Sequence, residues 1–133
     1  MNSMDALTQL FEAHRKALAL VERIAGADDE ETICTLMQTV PSMFEREIDP
    51  HLQTEEGVLL AKLIALGQAE LVRETMQKHE EVRELARQIA EGNRASLQSF
   101  WMNLQSMVRF EEQQVLTVAA ALLPECVRPN AVR

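Results

Sequence analysis

Four long stretches of this chain carry apolar residues at helical spacing, and only short breaks built on glycine or proline separate them. A stripe that recurs every three or four residues covers one side of a helix and stays stable only when a partner buries it. The first stretch runs from about Met4 to Ala25, with Leu7, Leu10, Phe11, His14, Ala17, Leu18 and Val21 facing inward. Ser3 suits its N-cap, Asp5 its first turn, and Gly26 a left-handed closing residue. The second starts at the acidic run Asp28-Asp29-Glu30-Glu31 and reaches about Leu66, where Gly67 ends it. Pro41 and Pro50 lie inside it, and a residue without an N–H predicts a kink near one or both. The third covers about Ala69 to Glu91, with Val72, Met76, His79, Val82, Ala86 and Ile89 inward. The fourth covers about Ala95 to Leu123, with Leu97, Phe100, Leu104, Met107, Glu111, Val115, Val118 and Leu122 inward, and Pro124 stops it. Short loops between long helices force antiparallel neighbours. The expected fold is therefore all-α, an antiparallel up-down-up-down four-helix bundle over residues 1–124 with a C-terminal tail at 125–133.

The 133 residues fit one domain. A net charge of −8 argues against nucleic acid or an anionic membrane as partner. The longest apolar stretch, Val115 to Leu123, is interrupted by Thr117 and is too short to span a bilayer. The amino end shows no basic stretch followed by an apolar run, so no secretory signal is visible. Cys34 and Cys126 lie far apart and read as reduced, inert thiols, which points to a cytoplasmic location.

The chemistry concentrates in the histidines. There are three, His14, His51 and His79, and each falls near the middle of a different helix on the apolar side. His51 is followed one turn later by Glu55, and Glu111 lies mid-way along the fourth helix. Mid-helix residues of an antiparallel bundle meet in one layer, so these five side chains share a depth. Imidazoles and carboxylates are costly in a dry core unless a cation binds them, and a transition metal is the natural candidate. Glu55 and Glu111 each begin a double glutamate, and Glu56 and Glu112 compete with them for the inward position; the second members read as the outward ones. Arg83, one turn from His79, offers a metal-free way to neutralise a buried carboxylate. Glu47, one turn before His51, is either an acceptor for that imidazole or a plain surface residue.

The segment from His51 through Glu55-Glu56 to Leu59-Leu60 has an echo in Met107 through Glu111-Glu112 to Val115-Leu116. Together with Glu12-Ala13-His14 and the run from Lys78-His79 to Leu85, these segments resemble the hemerythrin-like, or HHE cation-binding, family over nearly the whole chain. The resemblance implies an antiparallel four-helix bundle around a non-haem di-iron site. It places His14, His51, Glu55, His79 and Glu111 at ligand positions, with the two glutamates bridging the metals. One departure stands out: the family expects a histidine four residues before the helix-4 glutamate, where this chain has Met107. A thioether is a soft donor and a poor match for iron. The site could then hold two metals, one, or none; Met107 reads most simply as a core residue, with Asn103 and Gln114 as candidate replacement donors.

The leading functional expectation is an iron-binding protein that binds or senses dioxygen, nitric oxide or iron status, or handles metal. Its expected partners are then a metal ion and, for the sensing roles, a diatomic gas; enzymatic activity is left open, with the balance against it. Rival readings are a redox metalloenzyme or iron-delivery repair protein, and a metal-free bundle used as an interaction module. Trp101 and Phe110 fall off the main stripe of the fourth helix, which suggests a homodimer face.

Overall fold

A computed structural model describes residues 3–123, with side chains from Thr8 onward. The carboxy-terminal residues from Pro124, and with them the tail and Cys126, lie outside the described residues, as do the side chains of Ser3, Asp5 and Leu7. The described chain is all-helical, in four rods. Helix α1 is Ser3–Ala25. Helix α2 covers 30–65 in five helical pieces, with π-helical turns at Phe44–Ile48 and Glu56–Leu60. Helix α3 is Ala69–Ala90. Helix α4 covers 95–122 and is interrupted by a π turn at Glu111–Val115.

The starts and stops follow local chemistry. Asp29 caps α2: its carboxylate accepts from the Thr32 amide at 2.8 Å and from the Thr32 hydroxyl at 2.8 Å, while Glu30 and Glu31 occupy the first turn. Gly67 and Gly92, at φ 86° and 96°, adopt the left-handed backbone that ends α2 and α3. Gly26 corrects the expectation for α1, because its φ is not positive; the chain leaves that helix through ordinary bonds from Gly26 N to Glu22 O and from Ala27 N to Ile24 O. Pro41 is accommodated inside α2, and Pro50 opens the α-helical piece directly after the first π turn. A π turn leaves a carbonyl short of its usual partner, so a residue with no N–H is well placed beside it.

Two apolar clusters fill the interior. The larger joins Ala17, Leu20, Val21 and Ile24 to Leu36, Val40, Phe44 and Leu52, to Val82, Ala86 and Ile89, and to Leu97, Phe100, Leu104 and Met107. The smaller joins Leu59, Leu60 and Leu63 to Val72 and to Val115, Leu116, Ala119 and Leu123. Leu10 packs on the smaller cluster. Helices α1 and α3 pass from the smaller cluster to the larger, and α2 and α4 pass the other way. Between the two clusters every helix contributes one buried ionisable side chain: His14, Glu55, His79 and Glu111.

The stripes deviate from strict periodicity in two places. In α1, Phe11 is exposed, and Ala13, Leu20 and Ile24 are buried instead. In α4 the expected Val118 and Leu122 are replaced by Ala119 and Leu123. The π turn explains this second shift: one extra residue per turn advances the inward face by one position for everything beyond it. Phe44 and Phe100 meet edge to face with centroids 6.0 Å apart, at the centre of the larger cluster. Replacing Phe100 by alanine is expected to cost about 3–5 kcal/mol in urea unfolding. Ile64→Ala, at a side chain that is 54% exposed, should stay within about 0.5 kcal/mol.

Candidate metal centre

The polar layer is built around Glu111. Its Oε1 accepts from His14 Nε2 at 2.8 Å and its Oε2 accepts from His79 Nε2 at 2.7 Å, so one carboxylate from α4 joins imidazoles of α1 and α3. His79 and Glu111 are fully shielded from solvent, and His14 and Glu55 are nearly so. Glu55 Oε1 lies 2.9 Å from His79 Nε2. That nitrogen carries a single hydrogen, which it gives to Glu111, and both oxygens of Glu55 are buried without a hydrogen-bond partner. Donor atoms of His14, Glu55 and Glu111 all lie within 4.8 Å of one another.

The second nitrogen of each buried ring also faces a carboxylate. His14 Nδ1 donates to Glu112 at 3.0 Å, and His79 Nδ1 donates to Glu56 at 2.7 Å. The outer members of the double glutamates therefore point away from the layer yet support histidines on neighbouring helices. The signal for this was the doublet itself. Consecutive helical residues lie about 100° apart, so only one can enter the core and the other is left for a flanking helix. Arg83 does not neutralise Glu55 or Glu111, contrary to the metal-free option; it pairs with Glu56, Asp49 and Glu80.

The remaining candidates spread outward. His51 is only half-buried and lies outside the closely spaced group. Burial holds its pKa below the ordinary value, helped by the charges of Lys16 and His14. Glu47 makes no hydrogen bond to it among the described residues. Asn103 bonds the Ser99 carbonyl of its own helix, and Gln114 is exposed beside Lys78 and Phe110, so neither replaces a ligand. Met107 is buried in the larger apolar cluster, one turn before Glu111. Trp101 and Phe110 are half-buried against the two clusters, and the Lys78 ammonium sits 4.7 Å above the Phe110 ring. The Cys34 thiol donates to Glu30, which raises its pKa above that of a free thiol, so it is not activated.

The electrostatics are those of a compensated buried cluster. Burial alone would lower the His79 pKa, but its hydrogen bond to Glu111 and the nearby carboxylates of Glu111 and Glu55 outweigh it and lift it to about 10. His14 is raised against the same burial by Glu111 and Glu112. Burial works to raise Glu111, yet its two imidazole partners keep it well below the carboxylate range. Glu55 moves the other way: burial and the Glu111 charge raise it. This donor set suits a cation. The Glu55 oxygens accept no hydrogen bond, although Oε1 lies close to His79 Nε2, and two imidazoles with two carboxylates match a metal ion of intermediate hardness. The residues whose donor atoms converge closely enough to hold a metal are His14, Glu55 and Glu111, with His79 hydrogen-bonded to Glu111 beside them.

No curated protein and no solved structure matches this sequence. The family model of the hemerythrin HHE cation-binding domain matches residues 5–119, a span that takes in all four helices and the whole polar layer. On that match the chain belongs to the hemerythrin HHE cation-binding family.

Proposed function

We propose that this chain is a non-haem iron protein in which His14, Glu55, His79 and Glu111 are the ligands and His51 joins from its half-buried place at the edge. The observation that carries this reading is Glu55, a carboxylate buried among ionisable groups with neither oxygen hydrogen-bonded. Such a group costs on the order of several kcal/mol unless something positive meets it. The role is binding or sensing of dioxygen, nitric oxide or iron status, or metal handling, all of which require the metal. Ferrous iron would supply an electron-rich centre able to take a diatomic ligand. The residues do the rest. Glu111 joins two imidazoles, Glu55 offers free oxygens, and the clusters above and below keep bulk water from the layer. Iron content of anaerobically purified protein, measured with and without a chelator wash, tests the proposal; clean protein that refuses ferrous iron would end it.

Three further outcomes follow from the same geometry. In Glu55→Gln the buried charge disappears, so the metal-free protein at pH 8 is expected to be as stable as the parent or more stable by about 1 kcal/mol. The iron-dependent rise in melting temperature should be lost in that variant, because only a ligand bound to the folded state raises it. A drop in metal-free stability with the iron effect intact would contradict the assignment.

Metal binding should also depend on pH. His14, His79 and Glu55 all hold protons more tightly than in a free chain, and a metal must displace them. The gain in melting temperature from ferrous iron is therefore expected to be larger at pH 8 than at pH 6. The metal-free protein should behave in the opposite sense. The stability from His79 is complete below its unfolded pKa of 6.5 and is lost as pH climbs through about 10. Resisted ionisation of Glu55 adds to the loss above its unfolded value of 4.5. Melting curves across pH 6 to 10 check both signs.

Finally, Met107 leaves an apolar side chain where the resemblance expects an imidazole. Met107→His is expected to take up one more iron ion per chain than the parent, measured by metal analysis of matched anaerobic preparations.

A further inference from the structure

The strongest unused network lies just outside the polar layer, on Arg83. Its Nε donates to Asp49 at 2.7 Å, and one terminal nitrogen donates to Glu56 at 2.8 Å and to Glu80 at 2.9 Å. The Glu56 oxygen that receives Arg83 is the one that accepts from His79 Nδ1. An unbroken chain of charge-assisted hydrogen bonds thus runs Asp49–Arg83–Glu56–His79. It ties α3 to α2 on both sides of Glu55. Arg83, Asp49 and Glu56 are each only about one-fifth exposed, so the bonds are partly sheltered from solvent competition. The His14 side differs. Glu112, its carboxylate partner, is 40% exposed and has no cationic side chain against it among the described residues.

We propose that Glu56, Arg83 and Asp49 are positioning residues that fix the ring of His79 and keep its hydrogen on Nδ1, leaving Nε2 as the donor aimed at the space between Glu55 and Glu111. The inference rests on the metal-binding reading of the preceding section. A metal takes one imidazole nitrogen, and the hydrogen on the other must find an acceptor for the ring to hold its orientation. A glutamate alone is a flexible acceptor. The planar fork of Arg83, itself held by Asp49, removes that freedom. Among the described residues His14 has no such brace, so the two imidazoles are held unequally there.

The test uses full-length protein and ferrous iron under anaerobic chelator competition at one fixed pH. Loss of an outer carboxylate partner commonly weakens metal binding ten- to a hundredfold. Glu56→Ala is expected to lose affinity in that range, Arg83→Met to lose less, and Arg83→Lys to recover part of the Arg83→Met loss. Melting temperatures of the metal-free variants provide the control for folding. The second readout is NMR of metal-free protein labelled with ¹⁵N-histidine. His79 should show a slowly exchanging Nδ1–H signal that disappears in Glu56→Ala and exchanges faster in Arg83→Met. Unchanged affinity and an unchanged Nδ1–H signal in both variants would overturn the proposal, as would losses that merely track metal-free stability. Parent protein that binds no iron would end the metal reading itself. The NMR comparison then still decides whether the brace exists.

Discussion

The architecture depends on one carboxylate placed where a carboxylate should not be. Glu111 is fully buried between two apolar clusters, and it is tolerated because His14 and His79 each bring an N–H to one of its oxygens. Removing one partner of such a pair leaves an uncompensated charge in a dry interior, which typically costs about 3–5 kcal/mol. The depth of three helices is thereby fixed relative to one another, and Glu55 adds the fourth. The polar layer divides the core: Met107 and Val108 lie on one side of Glu111 and Val115 on the other, while Leu52 and Leu59 flank Glu55 in the same way.

A cluster satisfied in this manner can fold before any cation arrives. Both nitrogens of His14 and of His79 face carboxylate oxygens, which favours the protonated form of each ring and raises both pKa values. Of these four side chains only Glu55 accepts no hydrogen bond, although its Oε1 lies 2.9 Å from His79 Nε2. Native proteins leave few polar groups in that condition, and those that exist commonly belong to a functional site. The division of labour within the double glutamates follows from helix geometry. Glu55 and Glu111 enter the layer, and Glu56 and Glu112 support imidazoles on adjacent helices.

Much of this was legible in the sequence because the informative residues are rare and regularly spaced. With only three histidines and scarce glycine and proline, the four helical segments and the inward positions of His14 and His79 followed from periodicity, while Glu55 and Glu111 still competed with Glu56 and Glu112 for theirs. Two kinds of feature were not. The capping of α1 depends on local backbone angles, and Gly26 proved to be an ordinary residue where a left-handed one was expected. The partners of the outer glutamates depend on tertiary neighbours. Nothing at sequence level ties Glu56 to Arg83, 27 positions away, or Glu112 to His14. The same holds for His51. Its spacing to Glu55 suits a shared face, but it sits at the margin of the bundle, half in solvent.

The π turns have a consequence for how such a chain can change. Those at Glu56–Leu60 and Glu111–Val115 each begin at or beside an inward glutamate. A π turn arises when a helix takes up one residue more than its thread requires, and losing that residue would return the rod to regular winding. In α4 such a deletion just after Glu112 would leave the four converging side chains where they are. It would also keep Leu116, Ala119 and Leu123 facing inward, because the residue removed is the one the π turn had absorbed. A single insertion or deletion at this point can therefore be taken up by the winding of one turn, while the centre and the apolar cluster beyond it keep their inward side chains.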